Sequence, residues 1–280
     1  YVPTGTKTTV ADGNNWSAPA SWNPPGVPVS TDDVIIAHNT TVNADGVANT
    51  LKFTAAKTLS GPNKVTVTNG LVWAAGAFSP TISAQTEFGT GGAAGGLVNV
   101  DTSGQTLVLS GVLATSAGLT KYGAGATALT TVKTYSGGTN IPGGTVETRL
   151  SDAMGTSTTS TVTLAGGTWS LTTANQTHSN RIAVSANSNV AGAQGNYLWT
   201  INGPVTLNAV LNASGASSLG GSERMVFAGD ISGTGSINEQ PGVSSNRNFQ
   251  LELTGNNSFQ GGITFGTASG SSGGTFLGLG

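Results

Sequence analysis

Cysteine is absent from the 280 residues, which excludes a disulfide framework and thiolate metal sites and suits a chain that crosses an oxidising compartment before folding. Charge is almost as scarce. Asp, Glu, Lys and Arg together make up 8% of the chain, against about 25% in ordinary globular domains. The ten basic residues are scattered, so no electrostatic footprint for nucleic acid is present. No apolar run approaches the ~18–20 residues of a membrane span. Neither a basic nor an apolar leader region opens the chain, so Tyr1 reads as a mature or trimmed N-terminus. Helical periodicity is missing as well: no dozen residues keep apolar positions at i, i+3, i+4 and i+7 without Gly or β-branched interruptions.

What remains is Gly, Thr, Ser, Asn, Ala and Val, with 43 glycines and a net charge of −2. Disordered chains combine low hydrophobicity with high net charge and few β-branched residues, and this chain does not. Short runs with a period of two recur between Gly, Asn, Asp or Ser: 64–68, 106–109, 161–164, 181–184, 205–208 and 250–253. The expectation is an all-β protein.

Repetition suggests how those strands are arranged. Leu109-Ser110-Gly111 is followed by Gly118 to Lys121, then by Thr134 to Ile141. Phe227-Ala228-Gly229 is followed by Gly235 to Ile237, then by Leu253 to Phe265. Each copy has an apolar-x-Gly corner, a short strand, a turn and a second strand. Each closes on an aromatic residue, a polar residue and Gly-Gly. Spacing varies by a few residues, as it does when loops project from a fixed winding. The pairs 137–138, 143–144, 166–167, 220–221 and 261–262 are the expected Gly corners, where positive φ is needed.

Segment 111–147 resembles the autotransporter-associated β-strand repeat. The core reads Gly118-Leu119-Thr120-Lys121-Tyr122-Gly123-Ala124-Gly125 with Leu129, and the close reads Tyr135-Ser136-Gly137-Gly138-Thr139. Leu150 to Gly155 and Thr161 to Thr168 match the usual continuation. A polar insertion at 238–248 replaces the Lys-x-Gly core in the second copy. The resemblance implies a right-handed β-helix or β-solenoid, export to the bacterial cell surface or beyond it, and no particular chemistry. On this reading residues 51–280 form the solenoid, with repeats at about 107–168 and 225–280, and residues 1–50 form a loop-rich entry or cap.

Two regions carry functional expectations. In the entry segment, Trp16 and Trp22 beside the Pro24-Pro25-Gly26-Val27-Pro28 turn suit a plug over the first coil. An exposed Trp there, or Trp73, would alternatively stack on a surface glycan. At the other end, the uncharged Thr275, Phe276, Leu277 and Leu279 form an apolar strand with no capping element after it. Either the natural protein continues beyond Gly280, or this edge receives another copy head-to-tail, an open-ended heterologous contact.

Chemistry-bearing constellations are thin. Asp32 and Asp33 are the one adjacent acidic pair, and a strand would point them to opposite faces. His38 and His178 have no ligand-spaced neighbours. The Gly266–Gly274 stretch lacks the helix that a nucleophile elbow requires, and the Gly-Gly-x-Gly-x-Asp calcium repeat is missing. No cofactor, metal or catalytic residue is expected. The leading expectation is a structural subunit of an extracellular bacterial fibre or adhesin stalk, assembling with copies of itself. A glycan-binding adhesin module and a polysaccharide-degrading β-helix enzyme are the alternatives.

Overall fold

The computed structural model describes residues 5–89, 95–114, 118–155, 160–193, 197–215, 222–240, 248–266 and 276–279, the last four by backbone alone. The chain is nearly all β and winds as a β-solenoid of about ten turns. It divides into two compact units, residues 1–138 and 139–280.

In the first unit the strands Gly5–Thr9, Asp32–Ile36, Gly46–Phe53, Lys64–Ala74, Gly96–Val100 and Leu119–Tyr122 pair in parallel, each with the next. A second parallel sheet follows on the next side of each turn: Asn14–Asn15, Thr40–Thr41, Thr58–Ser60, Thr81–Ile82, Thr106–Leu109 and Ala126–Leu129. Register sets the core. Val34, Leu51, Val72 and Val98 occupy successive rungs of one inward column, and Ile36, Phe53, Ala74 and Val100 occupy the next. All eight are fully buried. Burial of each large apolar side chain contributes on the order of 1.5–3 kcal/mol, and no single coil could bury them without its neighbours.

Winding begins ahead of the expected boundary at residue 50. Gly5–Thr9 already pairs with Asp32–Ile36, and after the rung Asn14–Asn15 residues 16–31 form a long excursion before the next coil. The repeat was hidden because the register advances by 27 residues from Thr6 to Asp33 but by only 17 from Asp33 to Thr50. Within the excursion, Trp16 and Trp22 meet edge-on at 5.0 Å, and the Trp22 indole N–H donates to the Trp16 carbonyl at 2.8 Å. Gly46 admits this cluster. A Cβ there would lie 2.5 Å from Trp16 Nε1.

In the second unit four successive coils, from Thr161 to Leu253, carry three strands each. Thr161–Ala165, Thr168–Leu171 and Gln176–His178 form one coil, and Arg181–Ala186, Ser188–Gly192 and Leu198–Ile201 stack on it in parallel register. Val205–Leu207, Leu211–Gly215 and Ser222–Phe227 follow. Ile231–Gly233, Ile237–Gln240 and Asn248–Leu253 come next. Val162, Ile182, Val205 and Ile231 make one inward column, advancing by 20, 23 and 26 residues. Thr161 and Thr163 alternate with buried Val162 and Leu164.

Four of the five predicted Gly corners lie in the described residues. Each contains one left-handed glycine: Gly138 at φ 86°, Gly144 at 62°, Gly166 at 124° and Gly262 at 74°. The pair 220–221 lies outside the described residues. The Gly118-to-Gly125 motif has a second physical basis, close approach between coils. A Cβ on Gly123 (φ 78°) would sit 2.2 Å from the Val100 carbonyl oxygen of the preceding rung, and one on Gly125 2.5 Å from that of Thr102.

Candidate functional site

Both entry tryptophans are interior. Trp16 is 0% and Trp22 1% exposed, so neither presents a ring face to a sugar, and their place in the molecule is packing. Of the predicted C-terminal edge residues, Thr275 lies outside the described residues. Phe276–Leu279 forms a strand whose backbone pairs in parallel with Asn248–Leu253, Gln250 opposite Phe276 and Leu253 opposite Leu279. Among the described residues that strand has one partner, so it is the edge of its sheet.

The predicted acidic pair separates as expected. Asp32 is buried and accepts from the Val29 amide at 3.0 Å, while Asp33 is turned outward. Four other acids are engaged singly, in ion pairs Lys57–Asp12, Lys64–Glu87, Arg149–Glu147 and Arg224–Glu252. Among the described residues no three His, Cys, Asp or Glu side chains gather where they would hold a metal. Asp12 is held below its ordinary value, first by the Asn39 amide it accepts from and then by Lys57.

His178 is interior. Its ring meets Trp169 edge-on at 4.8 Å, and Nε2 shares a hydrogen bond of 3.0 Å with Gln176 Oε1. Gln176 Nε2 donates to the Thr148 carbonyl and to Thr173 Oγ1, each at 2.8 Å, and the Trp169 indole donates to Thr148 Oγ1 at 3.0 Å. Burial pushes the imidazole down to about 4, so it is neutral at pH 7. Since Gln176 Oε1 only accepts, the neutral ring carries its proton on Nε2.

Two buried lysines had no warning in the sequence pattern. Lys121, 0% exposed, takes an inward rung after Val98 and donates through Nζ to the carbonyls of Tyr122 and Gly123. Lys133, 1% exposed, donates to the carbonyls of Leu109 and Gly111 and to Thr131 Oγ1, all at 2.7 Å. Both ammonium groups lie at coil corners and add donors to the carbonyls there, that of Leu109 also accepting from the Thr130 amide at 3.3 Å. Burial lowers Lys121 to about 8 and Lys133 to about 7. The flexible stem lets a lysine fill an apolar rung while its ammonium reaches the corner, a role that composition does not reveal.

A groove on the described surface has the make-up of a ligand site. On the outer face of the first unit, a groove of about 340 Å³ is lined by Thr6, Asp33, Ile35, Thr50, Lys52, Leu71 and Trp73, with Val34 and Leu51 beneath. Register assembles it from adjacent rungs. Asp33, Thr50 and Leu71 form one outward column, and Ile35, Lys52 and Trp73 form the next. The Trp73 indole N–H donates to Asp101 Oδ2 at 2.8 Å, which fixes the ring, and Lys52 Nζ lies 4.2 Å from its centroid. Asp33 Oδ1 accepts from Asn49 Nδ2 at 2.6 Å and Thr50 Oγ1 at 2.7 Å. Of the three tryptophans singled out in the sequence, Trp73 alone is in a position to meet a ligand. A smaller hollow of about 240 Å³ in the second unit is lined by Thr161, Arg181, Ile182, Ala183, Pro204 and Thr206.

The stacked rungs define a parallel β-solenoid with a polar–aromatic groove on one face. No protein-family model, curated protein or solved structure matches this chain.

Proposed function

We propose that this chain is a structural, non-catalytic segment of an extracellular bacterial fibre or adhesin stalk, in which one rung is the template for the next. The observation that carries this reading is the edge strand Phe276–Leu279, added in parallel register to Asn248–Leu253 and bearing a second row of backbone groups that no described strand pairs. Such an edge takes a further strand, from the same chain or from a second copy. The motif at Gly118 to Gly125 supports the assignment to surface passengers of the autotransporter type, with the right-handed winding and the export that this resemblance implies. Electron microscopy and light scattering over rising protein concentration test assembly between copies. Growth into filaments or end-to-end oligomers, blocked by Leu277→Pro, is the expected result. Particles that stay single at every concentration overturn head-to-tail assembly.

A second reading, contact with surface glycans, is favoured by the groove at Trp73, where a fixed aromatic ring lies among polar side chains. It is compatible with the structural reading, since outward side chains contribute little to stacking.

A further inference from the structure

We infer that the groove between the Asp33–Thr50–Leu71 and Ile35–Lys52–Trp73 columns binds a carboxylate-bearing sugar of the hexuronate class. This inference rests on the glycan reading above and gives it a site and a ligand chemistry.

Three features select that class. The first is a rigid aromatic platform. Trp73 is half-buried, and its indole N–H is tied to Asp101, whose other oxygen accepts from Asn99 Nδ2 at 2.6 Å. The ring therefore keeps one orientation with its face towards the groove. Pyranose C–H faces pack on such rings because the surface is large, flat and costs little conformational entropy to present.

The second is an available positive charge. Lys52 is absent from the four ion pairs formed among the described residues, and its ammonium instead rests over the Trp73 ring at 4.2 Å. A cation–π contact at a half-exposed site contributes only ~0.5–1 kcal/mol, so an incoming carboxylate competes for the ammonium at little cost. A neutral sugar gains nothing from displacing it.

The third is a pre-positioned polar side. Asp33 is held by two donors on one oxygen, Asn49 and Thr50. Its second oxygen is available to accept from ring hydroxyls, and the Thr6 and Thr50 hydroxyls line the same side. A carboxylate placed on this side would meet Asp33, whereas placed near Lys52 it finds its counter-charge. The two charges thus orient an acidic sugar in one sense. At about 340 Å³ the groove is at the small end of the ~300–1,000 Å³ range of ligand sites, suited to one or two rings of a longer chain.

Isothermal titration calorimetry with trigalacturonate and with its carboxyl-reduced neutral counterpart tests the inference. The acidic trisaccharide is expected to bind at least ten times more tightly, with affinity falling as salt rises. Lys52→Met should equalise the two ligands, and Trp73→Ala should abolish both, with thermal melting of each variant unchanged. Equal binding of the two by the unaltered protein overturns the acidic assignment and leaves the glycan reading standing. No binding of either at about 10 mM overturns both. Binding that survives Trp73→Ala overturns the site, and equally tight binding of a short polyglutamate overturns the sugar.

Discussion

The two units stack rungs in the same way but place their interior polar atoms differently. The first unit brings cations inside, Lys121 and Lys133, and closes coil corners with ammonium groups. The second holds a neutral cluster inside one coil, with Glu223 and Glu239 buried further along. Thr148, Gln176, His178 and the Trp169 indole use one another's donors inside the coil, and His178 Nδ1 is left without a partner. On its outer face an amide column runs rung to rung, from Asn238 to Asn212 and from Asn212 to Asn189, each at 3.0 Å, and on to Thr168 at 3.2 Å. A buried cation costs desolvation that its partners must offset, whereas a neutral network costs little once every donor is used. One winding therefore gives two different responses to pH.

The comparison is broken most severely at the corners of the first unit. Gly123→Val forces a side chain onto a residue at φ 78°, with its Cβ 2.2 Å from the Val100 carbonyl. It should cost several kcal/mol. Loss of the folded β circular-dichroism signal at 25 °C is expected, whereas Gly13→Ala, at φ 80° with open space around it, should remain folded.

The next largest effect is at high pH. Burial lowers Lys133 to about 7 when folded, against 10.5 for a free lysine. Between those values the unfolded chain holds a proton that the folded one does not, so stability rises with pH across that window and is flat below it. Lys121 adds a similar rise beginning near 8. Chemical denaturation from pH 6 to 10 should show a gain of a few kcal/mol. Lys133→Met should remove the part that begins near pH 7 and keep the part that begins near 8. The slope is the readout, since the variant also strips donors from two corner carbonyls.

At low pH the second unit responds. His178 titrates near 4 when folded, against 6.5. Below pH 6.5 the unfolded chain gains the proton first, and stability falls until pH 4, by about 3 kcal/mol. His178→Phe, which keeps a ring against Trp169, should flatten that limb in urea titrations while leaving the alkaline rise intact.

The smallest effect is expected on the outer amide column. Asn212→Ala removes the donor to Asn189 and the acceptor of Asn238. Each such bond is half-exposed, and a net loss of about 1 kcal/mol should appear as a lower denaturation midpoint with unchanged slope.

Much of the architecture was legible in the residues. Alternation in runs such as 161–164 identified strands and their buried side, and Gly-Gly pairs marked corners, because both signals are local. The start of the winding was not legible, since Gly5–Thr9 is separated from its partner Asp32–Ile36 by the Trp- and Pro-rich excursion. Nor was the interior position of Lys121, which stands in its motif as an ordinary charged residue and is drawn inside by the rung above Val98. The groove was legible only as Trp73. Lys52 and Asp33 join it through register across coils that advance by 17 and then 21 residues, and unequal advances hide such columns from any fixed spacing.

The central claim is that successive coils lie in parallel, in register, one rung above the next. A chain without cysteine permits a direct test. Asn189→Cys with Asn212→Cys places two thiols on facing rungs of one outward column, within the ~4.4–6.8 Å Cα range of a disulfide. The account predicts near-complete intramolecular cross-linking under mild oxidation. It also predicts none for Asn189→Cys with Ala213→Cys, since Ala213 faces the core. Equal cross-linking of both pairs, or of neither, would contradict it.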